Sequence, residues 1–304
     1  MIDCVYIAAA SYDSRFTRIC VASVRFFYPN IPIRLLIGGR VSGALVHELH
    51  RLWGVEVASV EPGEYGWGFV KLEPLFLNSG KRFLVLDSDT VLVGPVLNAF
   101  ADCAAPFLVD DESQTEDETR RLYYDWQKVR SVDPAAAQPR FVFNSGQWFG
   151  TSGTLQREDF SPWIDWSMPR ALRHPELFMP GDQGILNYVL NKNTRHNEAL
   201  VARRKIMRWP GHTLDDLKIA DIGRPEGSPF GQIVHWAGFK APRLESLPRA
   251  DLLLFFERFY YKYHGGGEPL RLQRSLRAGL EFRLRRLTVK FRQRVEAMRA
   301  QRTA

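Results

Sequence analysis

Apolar runs of strand length alternate with helix-length amphipathic patterns over the first 90 residues. The strand-like runs cover residues 5–10, 33–37, 55–60 and 82–86, and helical patterns cover residues 15–28, 46–53 and 71–77. Strands that alternate with helices in this way are typical of βαβ units. The hydropathy pattern therefore predicts an α/β fold with a mostly parallel sheet.

The pattern is less regular in the second half of the chain. Residues 109–139 are polar and charged, with helical periodicity over residues 116–130, and an apolar run predicts a strand at residues 140–144. Apolar residues from Ile185 to Leu190 have helical spacing, and a further short strand is predicted to end at His235.

The C-terminal segment differs from the rest of the chain in charge. Residues 268–304 contain ten arginines and one lysine against three glutamates, whereas the whole chain has a net charge of +7. The rest of the chain is therefore nearly neutral, and the glycine triplet at residues 265–267 is expected to form a flexible joint. We predict a globular domain at residues 1–264 and a basic helical tail at residues 265–304.

Apolar residues of this tail recur about every 3.7 positions, close to the period of a straight helix. They are Leu272, Leu276, Leu280, Leu284, Leu287, Phe291, Val295 and Met298. A basic amphipathic helix favours attachment of residues 268–304 to an anionic membrane surface. The alternatives are a helix packed on the globular domain, an oligomerisation helix and a nucleic-acid patch. Nucleic acid is disfavoured because aromatic residues are not interleaved with the arginines.

The composition of the chain indicates the class of protein and the cellular compartment to expect. The chain is 45% hydrophobic and 25% charged, as in a soluble globular protein, and no apolar stretch reaches the ~20 residues that cross a bilayer. The N-terminus does not have the pattern of a signal peptide. Cys4 and Cys20 lie in apolar runs that predict buried thiols, and neither these nor Cys103 have metal-type spacing. We expect a cytoplasmic protein, with peripheral attachment to the inner face of the membrane through the tail.

Two carboxylates separated by one residue follow the fourth predicted strand. Asp87 and Asp89 lie between the apolar runs at residues 83–86 and 91–93, and residues i and i+2 of an extended chain point to the same side. An isolated pair of this kind is often a solvated turn. Between apolar runs, desolvation is costly unless the carboxylates are paired or bind a metal, and oxygen ligands suit Mg²⁺ or Mn²⁺.

Three further motifs are ambiguous when taken singly. An imidazole such as that of His235 beside two carboxylates favours Mn²⁺ over Mg²⁺, although a lone histidine is more often structural. The bend at residues 143–146 also fits an ordinary turn. Asp182 is placed where an aspartate caps a helix, which leaves the adjacent Gln183 unexplained. Lys240, which belongs to the same motif as His235, is either a phosphate contact or an exposed lysine.

The order of these motifs resembles that of the retaining, metal-dependent glycosyltransferases of family eight, the glycogenin and lipopolysaccharide-galactosyltransferase type. The resemblance covers roughly residues 1–242. It is carried by Lys71, by Leu-Asp-Ser-Asp-Thr at residues 86–90, by residues 143–146, by Gly-Asp-Gln-Gly-Ile-Leu-Asn at residues 181–187, and by His235 with Gly238 and Lys240. The family implies a single GT-A domain, with a Rossmann-like sheet that binds a nucleotide-sugar, usually UDP-linked.

The resemblance also implies roles for individual residues. Asp87, Asp89 and His235 would bind Mn²⁺, with Mg²⁺ as the alternative. Asp182 and Gln183 would lie beside the anomeric carbon and support front-face attack. The donor would be contacted by Ala8, Ala9, Tyr12, Lys71, Asp87, Ser88, Asn144, Ser145, Gly238 and Lys240. The segment from Gly238 is one residue shorter than in the family and lacks a tryptophan after the proline.

The expected function is transfer of a hexose from a UDP-sugar to a glycan, glycolipid or protein acceptor. One rival is a metal-dependent nucleotidyltransferase, which would need a first loop rich in glycine and lysine rather than Ala-Ala-Ala-Ser-Tyr at residues 8–12. The other is a non-catalytic module that binds nucleotide-sugars or polyanions, which leaves the acidic pair, His235 and the Asp182–Gln183 pair without a role.

Overall fold

The computed structural model describes residues 1–10, 13–61, 63–66, 68–211, 214–223, 232–239, 244–277 and 280. The chain forms two compact units, Met1–Ala237 and Gly238–Ala304. A division after residue 264 stays a prediction. Within the described ranges, no helix combines the length and the apolar character that a membrane span requires.

The first half of unit one follows the predicted alternation of strands and helices. It contains β1 (Cys4–Ala9), α1 (Ser14–Phe27), β2 (Ile33–Ile37), α2 (Gly43–Trp53), β3 (Glu56–Val57), a 3₁₀ helix (Phe69–Phe76), β4 (Arg82–Asp87), β5 (Thr90–Leu92), α3 (Leu97–Ala101) and β6 (Phe107–Asp110). The α/β architecture predicted from hydropathy is confirmed.

Shorter elements make up the second half of unit one. They are α4 (Glu116–Leu122), α5 (Trp126–Val129), β7 (Gln147–Thr151), α6 (Arg157–Phe160), β8 (Ile164–Asp165), β9 (Ala171–Leu172), α7 (Asp182–Thr194), β10 (Val201–Arg204), β11 (Met207–Arg208) and β12 (Ile233–His235), with 3₁₀ helices at Glu198–Leu200 and Ile219–Asp221. Unit two contains a 3₁₀ turn (Leu244–Ser246), α8 (Ala250–His264) and helical residues 267–277.

A seven-stranded sheet in the order β10-β6-β7-β4-β1-β2-β3 forms the centre of unit one. Its neighbouring strands are parallel except for β7, which is antiparallel to both β4 and β6. The carboxyl ends of β1, β2 and β4 therefore meet at one edge, where open α/β sheets bind ligands. A smaller sheet in the order β11-β12-β5 pairs His235 with Thr90 and so brings the histidine to this edge.

The strand predicted at residues 140–144 is wrong. Only Val142 of this segment forms a β-bridge, with Glu112. The backbone instead bonds to side-chain amides of α7, because Asn187 and Asn191 pair with peptide groups of the segment at 2.8–2.9 Å. These amides form the hydrogen bonds that the backbone N–H and C=O groups of this segment need, because the segment has no neighbouring strand over most of its length.

Three other predicted elements differ in extent or type. The helix predicted at residues 116–130 is two helices, because a capping box at Thr115 starts α4 and the Asp125 side chain caps α5. The helix predicted at residues 71–77 is a 3₁₀ helix that contains Pro74. The third strand has two residues rather than six. Cys4 and Cys20 are buried free thiols, as predicted.

Candidate functional site

Two carboxylates and one imidazole meet at the carboxyl edge of the sheet. His235 Nε2 lies 3.1 Å from Asp89 Oδ1 and 4.0 Å from Asp87 Oδ2. One potential ligand atom from each of the three side chains lies within 4.8 Å of the other two. The Asp87–Asp89–His235 cluster can therefore present three ligands to one cation.

The surroundings of this cluster fit a hard divalent cation. Both carboxylates are 29% exposed, whereas the His235 side chain is 2% exposed, so the acidic side of the cluster faces solvent. Burial raises the pKa of Asp89, but His235, a backbone hydrogen bond and the Lys71 ammonium together lower it, and the net shift is downward, which favours the ionised carboxylate. Two carboxylates with one imidazole suit Mn²⁺ or Mg²⁺.

The turn that carries the two carboxylates is fixed from its buried side. Two hydrogen bonds of 2.7 Å hold this turn. The Thr90 hydroxyl donates to Asp87 O, and Asp87 N donates to Gly146 O. The Cys20 thiol of α1 lies 3.8 Å from the same Asp87 oxygen. The ligand geometry therefore depends on α1 and on the bend before β7.

Lys71 connects the Asp87–Asp89–His235 cluster to the start of α7. Its ammonium lies 2.9 Å from Asp87 Oδ1 and 3.1 Å from Asp182 Oδ2, and it donates to Ser145 O at 3.1 Å. Burial lowers the pKa of this lysine, but the carboxylates of Asp182 and Asp87 outweigh burial and the net shift is upward. Lys71 is thus a buried, protonated side chain between two acids.

Asp182 is the first residue of α7 and is almost fully buried. Desolvation raises its pKa to about 6, although the ammonium of Lys71 acts in the opposite direction. Its carboxylate packs against the backbone of Gly68, which has a φ of 83°, and a Cβ at position 68 would collide with it. A side chain at position 68 would therefore disturb both the local backbone and the acid.

Gln183 joins the bend at residues 144–146 to α7. Its Oε1 accepts from Ser145 N at 3.2 Å and its Nε2 donates to Leu122 O at 2.9 Å. The Asn144 Oδ1 accepts from Gly146 N at 2.8 Å, which closes the bend. Gln183 therefore lies next to Asp182 and also holds the backbone at Ser145 and Leu122.

The other predicted donor contacts have different placements. Ala8 and Ala9 lie at the carboxyl end of β1, with Ala8 paired to Asp87. Ser88 is buried and donates to Asp13 Oδ2 at 3.4 Å. Gly238 has a φ of 76° and begins unit two. Two predicted residues, Tyr12 and Lys240, lie outside the described residues.

Sequence reasoning missed two neighbours of His235. The indole of Trp209 stacks on the imidazole, with ring centroids 5.6 Å apart and planes at 17°. A Cβ at Gly146 would collide with the same imidazole. Trp209 stands in no recognisable motif, so its sequence carries no signal for this contact. Gly146 belongs to a quoted motif, but its proximity to His235 depends on the tertiary fold.

No family model matches the sequence, and no curated protein matches it either. Solved glycosyltransferases do match the structure. The galactosyltransferase LgtC, solved with donor and acceptor sugar analogues, is 15% identical with a TM-score of 0.53, over 85% of this chain and 95% of LgtC. The chain has the GT-A fold. The fold predicted from the resemblance is therefore confirmed, and the match to LgtC agrees with the likeness to family eight.

Two other glycosyltransferases share this fold over most of the chain. The bifunctional WbbM is 13% identical with a TM-score of 0.55, over 88% of this chain and 52% of WbbM. GlyE of Streptococcus pneumoniae is 13% identical with a TM-score of 0.50, over 87% of this chain and 64% of GlyE. Identities this low establish the common GT-A fold, and the chemistry has to be argued from the site itself.

Proposed function

We propose that the protein is a retaining, metal-dependent glycosyltransferase that transfers a hexose from a UDP-sugar to a glycan, glycolipid or protein acceptor. The observation that carries this proposal is the placement of Lys71 between the Asp87–Asp89–His235 cluster and Asp182. A cation site and a buried acid thus share one lysine at the ligand-binding edge of a GT-A fold. LgtC, which has the same fold, was solved with donor and acceptor sugar analogues.

Asp87, Asp89 and His235 would hold the divalent cation, and Mn²⁺ fits the imidazole better than Mg²⁺ does. When bound, the cation supplies positive charge to the diphosphate of the donor. The exposed face of the two carboxylates leaves room for the diphosphate beside them. Ala8 and Ala9, at the end of the neighbouring strand, would border the nucleoside.

Lys71 and Asp182 would act on the two sides of the bond that breaks. Departure of UDP leaves negative charge on a phosphate oxygen, and a buried ammonium stabilises such charge strongly because little water screens it. The sugar becomes oxocarbenium-like, and carboxylate or amide oxygens beside it stabilise the positive charge. Asp182 and the amide of Gln183, at the start of α7, would provide these oxygens.

Attack on the same face of the sugar as the departing UDP accounts best for retention. A double displacement would need a carboxylate that is free to bond to the anomeric carbon. Asp182 is paired with Lys71 at 3.1 Å and packed against Gly68, which makes it a poor nucleophile. We therefore assign Asp182 and Gln183 an electrostatic role, with the acceptor hydroxyl as the attacking group and the departing UDP oxygen on the same face as the acceptor of its proton.

A panel of UDP-sugars incubated with Mn²⁺ tests the activity without knowledge of the acceptor. The proposal predicts slow hydrolysis of one UDP-hexose to UDP and free sugar, abolished by EDTA. Formation of UTP from the UDP-sugar and added pyrophosphate would instead favour a nucleotidyltransferase. Binding of UDP-sugars without turnover of any of them, with acceptor glycans present, would favour a non-catalytic module.

The start of the tail supports attachment to an anionic membrane surface. Leu272, Leu276 and Leu280 are 50%, 71% and 61% exposed and are spaced by one helical turn. Arg274 and Arg277 stand between them in the sequence, as in an interfacial helix. The part of the predicted stripe from Leu284 onward lies outside the described residues.

Flotation with vesicles that contain anionic phosphatidylserine tests this attachment. Full-length protein should float, and a truncation to residues 1–264 should not. A full-length Leu272→Ser/Leu276→Ser variant should float less than the parent, while retaining its arginines. Equal flotation of the full-length protein and the truncation would exclude the tail as the anchor.

A further inference from the structure

No described residue gives the second ring nitrogen of His235, in the proposed metal site, the hydrogen bond that metal-binding histidines usually form. Such a histidine normally donates from its second ring nitrogen to a carboxylate, a carbonyl or a water, which fixes the plane of the ring. His235 Nδ1 is buried and has no hydrogen-bond partner among the residues that the structure describes. The contact of Nε2 with Asp89 holds one side of the ring at 3.1 Å, and the other side has to be held by contacts of another kind.

Two contacts restrict the imidazole sterically instead. Trp209 covers one face of the ring at a centroid distance of 5.6 Å, with planes nearly parallel at 17°. Gly146 approaches the ring edge so closely that a Cβ there would collide with it. The ring therefore cannot rotate about χ2 without losing the stack or striking the bend at residues 144–146.

The position of Trp209 is itself fixed by a buried acid. Asp110, at the end of β6, is fully buried, and its Oδ1 accepts from the backbone nitrogens of Ile206 and Met207 at 2.7 Å each. These bonds hold the start of β11, which pairs with β12 in register. Trp209 directly follows β11 and His235 ends β12, so the two rings are carried by neighbouring strands.

We infer that Trp209 is a positioning residue for the metal ligand His235, and that its stack orients the ring on the Nδ1 side, where no described residue forms a hydrogen bond. The indole keeps His235 Nε2 directed toward Asp89 and Asp87. Trp209 is 41% exposed, so the indole lies at the solvent-facing border of the cluster, where the two carboxylates are also partly exposed. The inference rests on the proposed function only in that it assigns a cation to the cluster.

Mn²⁺ affinity, measured by electron paramagnetic resonance of free Mn²⁺, tests the inference in the full-length protein. Trp209→Leu removes the ring but keeps apolar bulk, and should weaken Mn²⁺ binding by about 10-fold or more, as loss of an orienting partner does. Trp209→Phe keeps a stacking ring and should stay within about 3-fold of the parent. Trp53→Leu, the same change at the end of α2, should have no effect. Equal affinity of Trp209→Leu and the parent would overturn the inference, and so would a Trp209→Phe variant as weak as Trp209→Leu.

A second readout separates this inference from the proposed function. In metal-free protein, the ring current of Trp209 should shift the Cε1 proton of His235 upfield, and Trp209→Leu should abolish that shift while thermal unfolding shows a folded protein. A parent protein that shows the shift but binds no Mn²⁺ would contradict the proposed metal-dependent function and leave the stack intact. An unshifted proton in the parent would overturn the positioning role itself.

Discussion

The two halves of the candidate site differ in how their charges are balanced. Around Asp182, the chain supplies its own counter-charge, since Lys71 is buried beside it and Gly68 encloses the carboxylate. Asp89, by contrast, pairs with the His235 imidazole at 3.1 Å, and its carboxylate is 29% exposed. The first half is charge-balanced by the protein itself, whereas in the proposed function an external cation completes the second half. Loss of charge should therefore affect stability in the first half and ligand binding in the second.

The largest expected effect is a loss of turnover when the half of the site around Asp89 is altered. Asp89→Asn removes one anionic ligand and should lower Mn²⁺-dependent UDP-sugar hydrolysis by about 10³-fold or more, an effect comparable to loss of one strong electrostatic contact to a transition state. Its stability should change little, because the carboxylate is partly exposed. Asp102→Asn, an exposed change after α3, is the matched control. Full activity of Asp89→Asn in EDTA would refute the metal-dependent mechanism.

The second-largest expected effect is a loss of stability when the half of the site around Asp182 is altered. Lys71→Met leaves two carboxylates without their shared cation, one of them buried, and should cost about 3 kcal/mol or more in the free energy of unfolding by urea. Adding Asp182→Asn should recover part of this loss, since the buried charge is then gone.

An exposed ion pair serves as the control for Lys71→Met. Arg140 and Glu198 pair at 2.8 Å but are 54% and 81% exposed. Arg140→Met should therefore cost less than about 1 kcal/mol. Equal losses for Lys71→Met and Arg140→Met would show that the Lys71–Asp182 pair is not a preorganised unit.

A smaller effect is expected at the amides that hold the bend between the two halves. Asn187→Ala removes the partners of both backbone groups of Phe143, a buried residue, and should cost about 2 kcal/mol in the free energy of unfolding. Asn193→Ala, on the same helix, only loses a bond to Val189 O and should cost less than about 1 kcal/mol. Similar costs for the two variants would contradict the assigned role of Asn187.

Some parts of the fold are determined by the local sequence, and others depend on residues far away in the chain. The βαβ half was predictable because each strand and helix carries its own hydropathy period, as from β1 to β4. The strand predicted at residues 140–144 failed because side-chain amides of Asn187 and Asn191, more than 40 positions away, take the place of a neighbouring strand. Local periodicity cannot reveal such a partner.

The site was predictable only in part for the same reason. The spacing of Asp87 and Asp89, together with the apolar runs on both sides of the pair, favours a cation site without reference to distant residues. The proximity of Asp89 to His235, 146 residues away, was expected only from the order of motifs in a known family. The stack of Trp209 on His235 leaves no trace in the sequence, because it depends on the register of β11 against β12.

UDP titration with and without Mn²⁺ tests the central claim most directly. By calorimetry on full-length protein, we predict that UDP binds in the presence of Mn²⁺ and at least about 10-fold more weakly in EDTA, because the Asp87–Asp89–His235 cluster would hold the diphosphate only through the cation. Asp89→Asn should bind UDP weakly under both conditions. UDP binding of equal strength with Mn²⁺ and with EDTA would contradict the account.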